Sequence, residues 1–192
     1  MKLRYKPFPF FHLQNIVLRE QKEADIPDFF AYYSNPEVHK YILCHIPQNL
    51  EEARFELQYW QRIFYDESGA YFAIATTDTN TMIGSVGVHN YNSQHKRIEL
   101  SYDLCQKYWQ QGITSKAIKQ VLHYVFSELP VNRVECWVDV NNTPSKNLLL
   151  KLGFTLEGTI RQHRFHNNKF HNVYYFSFLA QDYANLTNNQ QL

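Results

Sequence analysis

Residues 98–126 read IELSYDLCQKYWQQGITSKAIKQVLHYVF, and the periodicity changes twice within that stretch. Ile98, Leu100, Tyr102 and Leu104 alternate with Glu99, Ser101, Asp103 and Cys105, the pattern of a strand with one apolar and one polar face. Gln106 to Gly112 has no period and reads as a loop. From Ser115 to about Ser127, Ala117, Ile118, Val121, Leu122, Val125 and Phe126 fall at helical spacing and form one apolar stripe. Strand, loop and helix in that order aim a helix N-terminus at the end of a strand.

Downstream, Val134, Cys136, Val138 and Val140 alternate as another strand. Thr143-Pro144 starts a helix, cap then Pro at the first position, and Leu152-Gly153 stops it. Phe154 to Ile160 and Val173 to Leu179 read as two more strands joined by a polar segment. Upstream, Ile16 to Arg19 is a short strand, and Asp25 caps a helix through Tyr33 with Pro27 in its first turn. Pro36 starts a short helical piece. Asn49 stands three residues before Glu52, as in a capping box, and opens a helix to about Tyr65. Tyr71–Thr76 and Met82–Val88, joined by the turn residues Thr77–Thr81, read as an antiparallel hairpin. The pattern predicts a mixed α/β sheet with helices packed on it, and its strand–helix–strand unit predicts a right-handed parallel crossover.

With 192 residues, 44% of them hydrophobic and 19% charged, the chain suits one globular domain over 1–192. No linker or repeat interrupts it, and Thr187 to Leu192 reads as a frayed polar tail. A formal net charge of +1 gives no global electrostatic reason to expect nucleic acid or an anionic membrane as partner. No run approaches the ~20 apolar residues that span a bilayer. Met1 to His12 lacks the apolar stretch of a signal peptide. Cys44, Cys105 and Cys136 lie far apart and read as reduced thiols, so the cytoplasm is the expected location.

Two segments carry chemistry. A helix N-terminus leaves its first N–H groups unbonded and partly positive, and a loop entering it can wrap its amides around a diphosphate. Gly112 suits such a turn because it adopts positive φ without strain; a glycine there equally ends an ordinary loop. Asn141-Asn142-Thr143-Pro144-Ser145 follows a strand and opens a helix. Asn142 can bond a ligand amide and Ser145 can point its hydroxyl into the same crevice, or the two merely cap and flank the helix, the reading preferred for Thr143.

From Ile98 to Phe154 the chain resembles the GNAT superfamily of N-acetyltransferases, and within it the RimJ/RimL-type branch. The residues that carry the resemblance are Ile98-Glu99-Leu100-Ser101-Tyr102, Tyr108-Trp109-Gln110-Gln111-Gly112-Ile113, Val138-Asp139, Asn142-Thr143-Pro144-Ser145, and Leu152-Gly153-Phe154 with Leu156-Glu157-Gly158. Weaker similarity in Val17-Leu18-Arg19, Asn35-Pro36-Glu37-Val38 and Ile83-Gly84 extends it to about 16–182. The resemblance implies a seven-stranded, mostly antiparallel α/β (α+β) sheet. Two neighbouring parallel strands separate in its middle, and acetyl-CoA lies in the gap. Position by position, the strand around Leu104 pairs with the pantetheine arm. Amides of Gln111, Gly112, Ile113, Thr114, Ser115 and Lys116 hold the diphosphate, and Asn142 and Ser145 sit near the thioester. Two positions depart from the family pattern. Thr114 stands where Gly or Ala is usual, and Leu149 stands where a Tyr often supplies a phenolic acid, which leaves Ser145 as donor to the departing thiolate.

The implied reaction is acetyl transfer from acetyl-CoA to an amine, with no metal. A free α-amine has a pKa of ~8 and a lysine of ~10.4, so a base matters more for the latter, and Glu99 on the polar face of the strand is the candidate. A backbone N–H near Leu104 is the candidate oxyanion donor. His89 and Tyr174 are secondary candidates. His163, His166 and His171 match no strong zinc pattern and read as a polar loop, shared with Arg161, Arg164 and Lys169. The expected acceptor is a protein N-terminal α-amine. Its rivals are a small polycation met by Glu51, Glu52 and Glu56, and a non-catalytic acetyl-CoA sensor. Either a monomer or a homodimer fits.

Overall fold

The computed structural model describes residues 7–189. Its strands form one eight-stranded sheet in the order β1-β2-β3-β4-β5-β6-β8-β7. They are β1 (Phe11–Leu13), β2 (Ile16–Glu20), β3 (Ala70–Thr76), β4 (Met82–Asn92), β5 (Arg97–Leu104), β6 (Arg133–Asp139), β7 (Thr155–His166) and β8 (Lys169–Leu179). The helices are α1 (Ile26–Tyr33), α2 (Pro36–His39), α3 (Leu50–Tyr65), α4 (Ile113–Glu128), α5 (Thr143–Lys151) and α6 (Ala180–Asn189). The eighth strand is β1, a three-residue edge paired with β2 from Phe11↔Leu18 to Leu13↔Ile16. It is too short to show a period in the sequence.

Every pairing is antiparallel except β5·β6, the two strands joined through α4. The stripe read on α4 is the buried one: Ala117, Ile118, Val121, Leu122 and Val125 pack with Ile98, Leu100 and Leu104 of β5 in the main core. At roughly 1.5–3 kcal/mol for each large apolar side chain removed from water, this contact anchors β5 firmly. On the opposite face α1 and α3 bury Phe29, Tyr32, Tyr33 and Leu57 against Ala73 and Met82. The alternation in β5 therefore sends even positions to α4, and Glu99, Ser101 and Asp103 to the side covered by α1 and α3.

Three local readings change. Asp25 precedes α1, but its carboxylate makes no cap bond there. Instead it accepts from Lys22 N (2.7 Å) and, through both oxygens, from the Arg19 guanidinium (2.7 Å each). Burial of both residues explains this: a guanidinium with so little water contact requires a carboxylate. The segment between the last two strands is not a loop, since β7 and β8 run on to a two-residue turn at Asn167-Asn168. Both Asn residues have positive φ, 49° and 56°, the geometry of a hairpin turn whose twist matches the strands. Residues 187–189 are helical rather than frayed, and 190–192 lie outside the described residues. The α5 stop stands as read, with Gly153 at φ +91°.

Candidate active site

β5 and β6 pair over three positions only, Arg97↔Arg133, Ile98↔Val134 and Glu99↔Glu135. β6 then follows β8 along its whole length, from Arg133↔Leu179 to Asp139↔Val173, while β5 follows β4 to Gly84↔Leu104. The sheet forks beyond Glu99. Cys105 N–H bonds Ile83 C=O on the β4 side, and Lys96 C=O accepts from Asn132 and Arg133 on the β6 side. Main-chain polarity alternates along a strand. The Glu99↔Glu135 pair uses the Leu100 N–H, so the groups turned into the fork beyond the ladder are the Leu100 C=O and the N–H and C=O of Tyr102 and Leu104. The base of the fork is pinned by buried Glu135, which accepts from Arg97 (2.8 Å), Arg133 (2.9 Å) and Tyr175 (2.5 Å). Burial opposes its ionisation, but these donors prevail and hold the carboxyl below its ordinary range.

The mouth of the fork meets the start of α4. Gly112 is the residue before the helix and has φ +75°, as the loop reading required. A Cβ there would meet nothing within 4 Å, so open space lies in front of it. The N–H groups of Ile113, Thr114 and Ser115 occupy the first turn, which has no intrahelical acceptors. Lys116 does not join them: its N–H bonds Gly112 C=O (3.1 Å), and its ammonium turns away to Gln14 (2.9 Å). The free amides thus run from Gln111 to Ser115. Leu104 lies at the rim, where its carbonyl already accepts the Trp109 indole N–H at 2.8 Å; only its N–H is left for a ligand.

On the opposite lip, Asn142 and not Thr143 is the cap of α5, its Oδ1 accepting from Ser145 N at 3.1 Å. Its side-chain NH₂ remains to bond a ligand. The Ser145 hydroxyl lies 2.6 Å from the Tyr102 hydroxyl, a bond that reaches from α5 to β5 across the open fork. Burial pushes the Tyr102 phenol well above its ordinary range, so it is neutral and able to donate.

A helix N-terminus facing a row of unbonded strand amides fits a long ligand that pairs like a strand and ends in a diphosphate. A family model described as acetyltransferase (GNAT) domain matches residues 15–155. The chain belongs to the GNAT acetyltransferase family. It is 32% identical over 160 residues to the uncharacterized N-acetyltransferase YoaA of Bacillus subtilis (strain 168), which covers 83% of this chain and 90% of YoaA. A GNAT-family acetyltransferase from Bacillus anthracis shares the fold at TM-score 0.79 and 24% identity, over 90% of this chain and 99% of that one. A spermidine N-acetyltransferase from Vibrio cholerae, solved with CoA and spermine, does so at TM-score 0.77 and 19% identity, over 90% and 99%. The chain is thus an N-acetyltransferase, and its fork and free amides suit CoA.

In this GNAT enzyme the side of β5 away from α4 carries the candidates Glu99 and His89 and, beside them, groups that the sequence reading passed over, Asp103 with Ser85 and Tyr32. Glu99 is half-buried at the apex of the fork, opposite His89 in register. His89 Nε2 bonds the Ser101 hydroxyl (2.8 Å), and burial lowers its imidazole despite the Glu99 carboxylate nearby. Asp103 accepts from the Ser85 hydroxyl (2.5 Å) and Ser85 N–H (3.1 Å). Burial pushes its carboxyl up to about 6, the Ser85 hydrogen bonds notwithstanding. Tyr32, buried in α1, turns its phenol toward this carboxylate without reaching good hydrogen-bond geometry. Glu56 of α3 adds a second raised carboxyl, again through burial, and bonds the Trp60 indole (2.8 Å). Glu51 and Glu52 stay outside this cleft: Glu52 bonds His45 and the α3 cap, and Glu51 is exposed.

The three late histidines separate. His163 stacks on Trp137 at 4.7 Å, His171 bonds Asp139 at 3.0 Å, and the His166 ring lies 6.4 Å from that of His171. Among the described residues no group of three or more His, Cys, Asp or Glu is arranged to hold a metal ion. Tyr174 packs under the Lys146 ammonium at 4.7 Å, away from Glu99. Cys136 is buried, and burial followed by the Glu99 charge pushes its thiol up to about 12. No helix among the described residues is long and apolar enough to cross a membrane.

Proposed function

We propose that this chain moves the acetyl group of acetyl-CoA onto a primary amine by direct attack in a ternary complex. We place it in the RimJ/RimL-type branch, acting as one domain over 1–192 in the cytoplasm, with a protein N-terminal α-amine as acceptor. The observation that carries the reading is the fork beyond Glu99, with the main-chain groups of Tyr102 and Leu104 turned into it.

Acetyl-CoA supplies the activated thioester. The amides of Gln111 to Ser115 hold a diphosphate at the positive end of α4. The Asn142 side chain bonds an amide of the arm, and the Leu104 N–H stabilises charge that develops on a carbonyl oxygen in the fork. Glu99 accepts the proton the amine must lose, directly or through water. Ser145, hydrogen-bonded to Tyr102, relays a proton to the departing sulfur, and the proton that Glu99 takes from the amine returns through solvent to the Ser145–Tyr102 pair, which ends neutral. Glu56 and Asp103 attract the acceptor as an ammonium ion, a feature that favours a cationic amine of either the peptide or the polyamine kind.

The test is coenzyme-A release with peptides bearing free N-termini, N-terminally blocked lysine peptides and polyamines. Release with free N-termini is expected, and Glu99→Gln should slow turnover about 10²-fold or more while CoA still binds. Tight CoA binding with no release from any amine would overturn the catalytic reading. A Glu99→Gln rate equal to the native one across pH would remove Glu99 from it.

A further inference from the structure

A cavity of about 310 Å³ lies between α2 with its following segment and the tip of the β7–β8 hairpin. Its polar lining is basic: His39 and Lys40 from the α2 side, and His166, Lys169 and His171 from the hairpin. Asp139, bonded to the lining residue His171 (3.0 Å), is also engaged by Asn141 N and Nδ2 (2.8 Å each). Asp139 ends β6 at the lip of the fork, so the cavity adjoins the fork on the side away from α4.

His39 is the most telling group. The residue is 5% exposed, and both ring nitrogens are buried; the ring approaches the Ile42 backbone, but neither nitrogen makes a hydrogen bond of good geometry among the described residues. A buried imidazole with neither nitrogen bonded is costly unless a ligand or water completes it. Burial, then the neighbouring His166, lowers its pKa to about 4, so it is neutral at pH 7 and offers one N–H. The Tyr33 ring meets His39 edge-on at 4.5 Å, and the fields of Asp103 and Glu56 reach Tyr33.

We propose that this cavity receives a carboxylate carried by the acceptor amine, held by Lys40, Lys169 and the histidine ring N–H groups. The proposal rests on the amine-acceptor reading above and narrows it. A polyamine would drive a second cation toward Lys40 and Lys169, which disfavours that class. The carboxylate has two sources: the α-carboxylate of a free amino acid, or an acidic side chain next to a peptide N-terminus.

The test begins with histidine-ring NMR of the full chain titrated with N-acetylglycine and, separately, N-acetylglycinamide. Saturable shifts at His39, His166 and His171 are expected with the acid, at an affinity at least tenfold above that of the amide. The doubly substituted Lys40→Gln/Lys169→Gln protein should lose this difference; both lysines are exposed, and a melting curve checks its fold. Equal responses to acid and amide, or a difference that survives the double substitution, would overturn the proposal. Coenzyme-A release with alanine against alaninamide, and with Ala-Asp-amide against Ala-Asn-amide, then separates the two sources. A preference for the acid in either pair supports the site, and none in both counts against it. The NMR arm needs no turnover, so a silent enzyme with an intact histidine response would sink the transfer reading alone.

Discussion

Replacing Gly112 by Ala probes the diphosphate seat with little disturbance elsewhere. The backbone there sits at φ +75°, where a side chain costs roughly 1–2 kcal/mol. Part of that is offset by ~0.4–1 kcal/mol from the stiffer unfolded chain. The new Cβ meets no protein atom within 4 Å, so no clash adds to the sum. A net loss of about 1 kcal/mol corresponds to a melting temperature lower by ~2–4 °C in a chain of this size. Gly112→Asn, which tolerates the left-handed region, should melt closer to the native protein. A diphosphate seated on the same amides is less tolerant. Loss of one charge-assisted hydrogen bond, about 1.5–3 kcal/mol, weakens CoA roughly ten- to hundredfold. Titration calorimetry with CoA and with pantetheine, which lacks the diphosphate, reads the difference. CoA should weaken and pantetheine should not. Equal losses for the two ligands, or none for either, would refute the seat.

Asp103 gives a pH signature. Its carboxyl is raised from 3.8 to about 6 by burial, so the folded state holds the proton more tightly than the unfolded one. The stabilisation from that proton is full below about pH 4 and lost as pH rises through about 6, some 3 kcal/mol in all at ~1.4 kcal/mol per pH unit. In urea unfolding, native stability relative to Asp103→Asn should fall by that order between pH 4 and 7.5, and a flat difference would contradict the buried acid. Asp25→Ala strands the Arg19 guanidinium, 5% exposed, and should cost about 3–5 kcal/mol in the same assay. Adding Arg19→Met should recover part of the loss, and a further loss instead would show that the arginine is not the group left unpaired.

The elements legible in the sequence are those whose cause is local. The alternation from Ile98 to Leu104, the stripe of α4, the Asn49 cap and the positive φ of Gly112 depend on neighbours within a turn or two. The β7–β8 hairpin was hidden because its period breaks: Gln162 takes φ 52°, and the register shifts between Ile160 and Arg164. Asn167-Asn168 was the available signal for its turn. The Tyr102–Ser145 bond joins residues 43 apart and exists only because the fork leaves both lips facing each other. Asp103 looked like one more polar alternate residue. Its character comes from Tyr32 and Ser85, brought to it by α1 and β4, and no spacing along the chain records that. The short edge strand β1 failed for a different reason, since three residues cannot display a two-residue period.

β5 shows why fold and chemistry are hard to separate here. Its two alternations, side chains between faces and amides between edges, share one period, so a single register fixes three assignments together. Ile98, Leu100 and Leu104 fill the core under α4. Beyond the ladder the even positions Tyr102 and Leu104 turn main-chain groups into the fork, and Glu99, Ser101 and Asp103 lie on the side covered by α1 and α3. A one-residue slip would exchange all three, sending carboxylates into the α4 core and leucines to the opposite face. The resistance to such a slip comes from outside the fork: the Glu135 network at its base and the full β4·β5 ladder along its flank. The fork can therefore lack a ladder along its open stretch without losing its register. An open seam for a strand-like ligand becomes compatible with a stable sheet because the closed side of β5 holds the position of the open one.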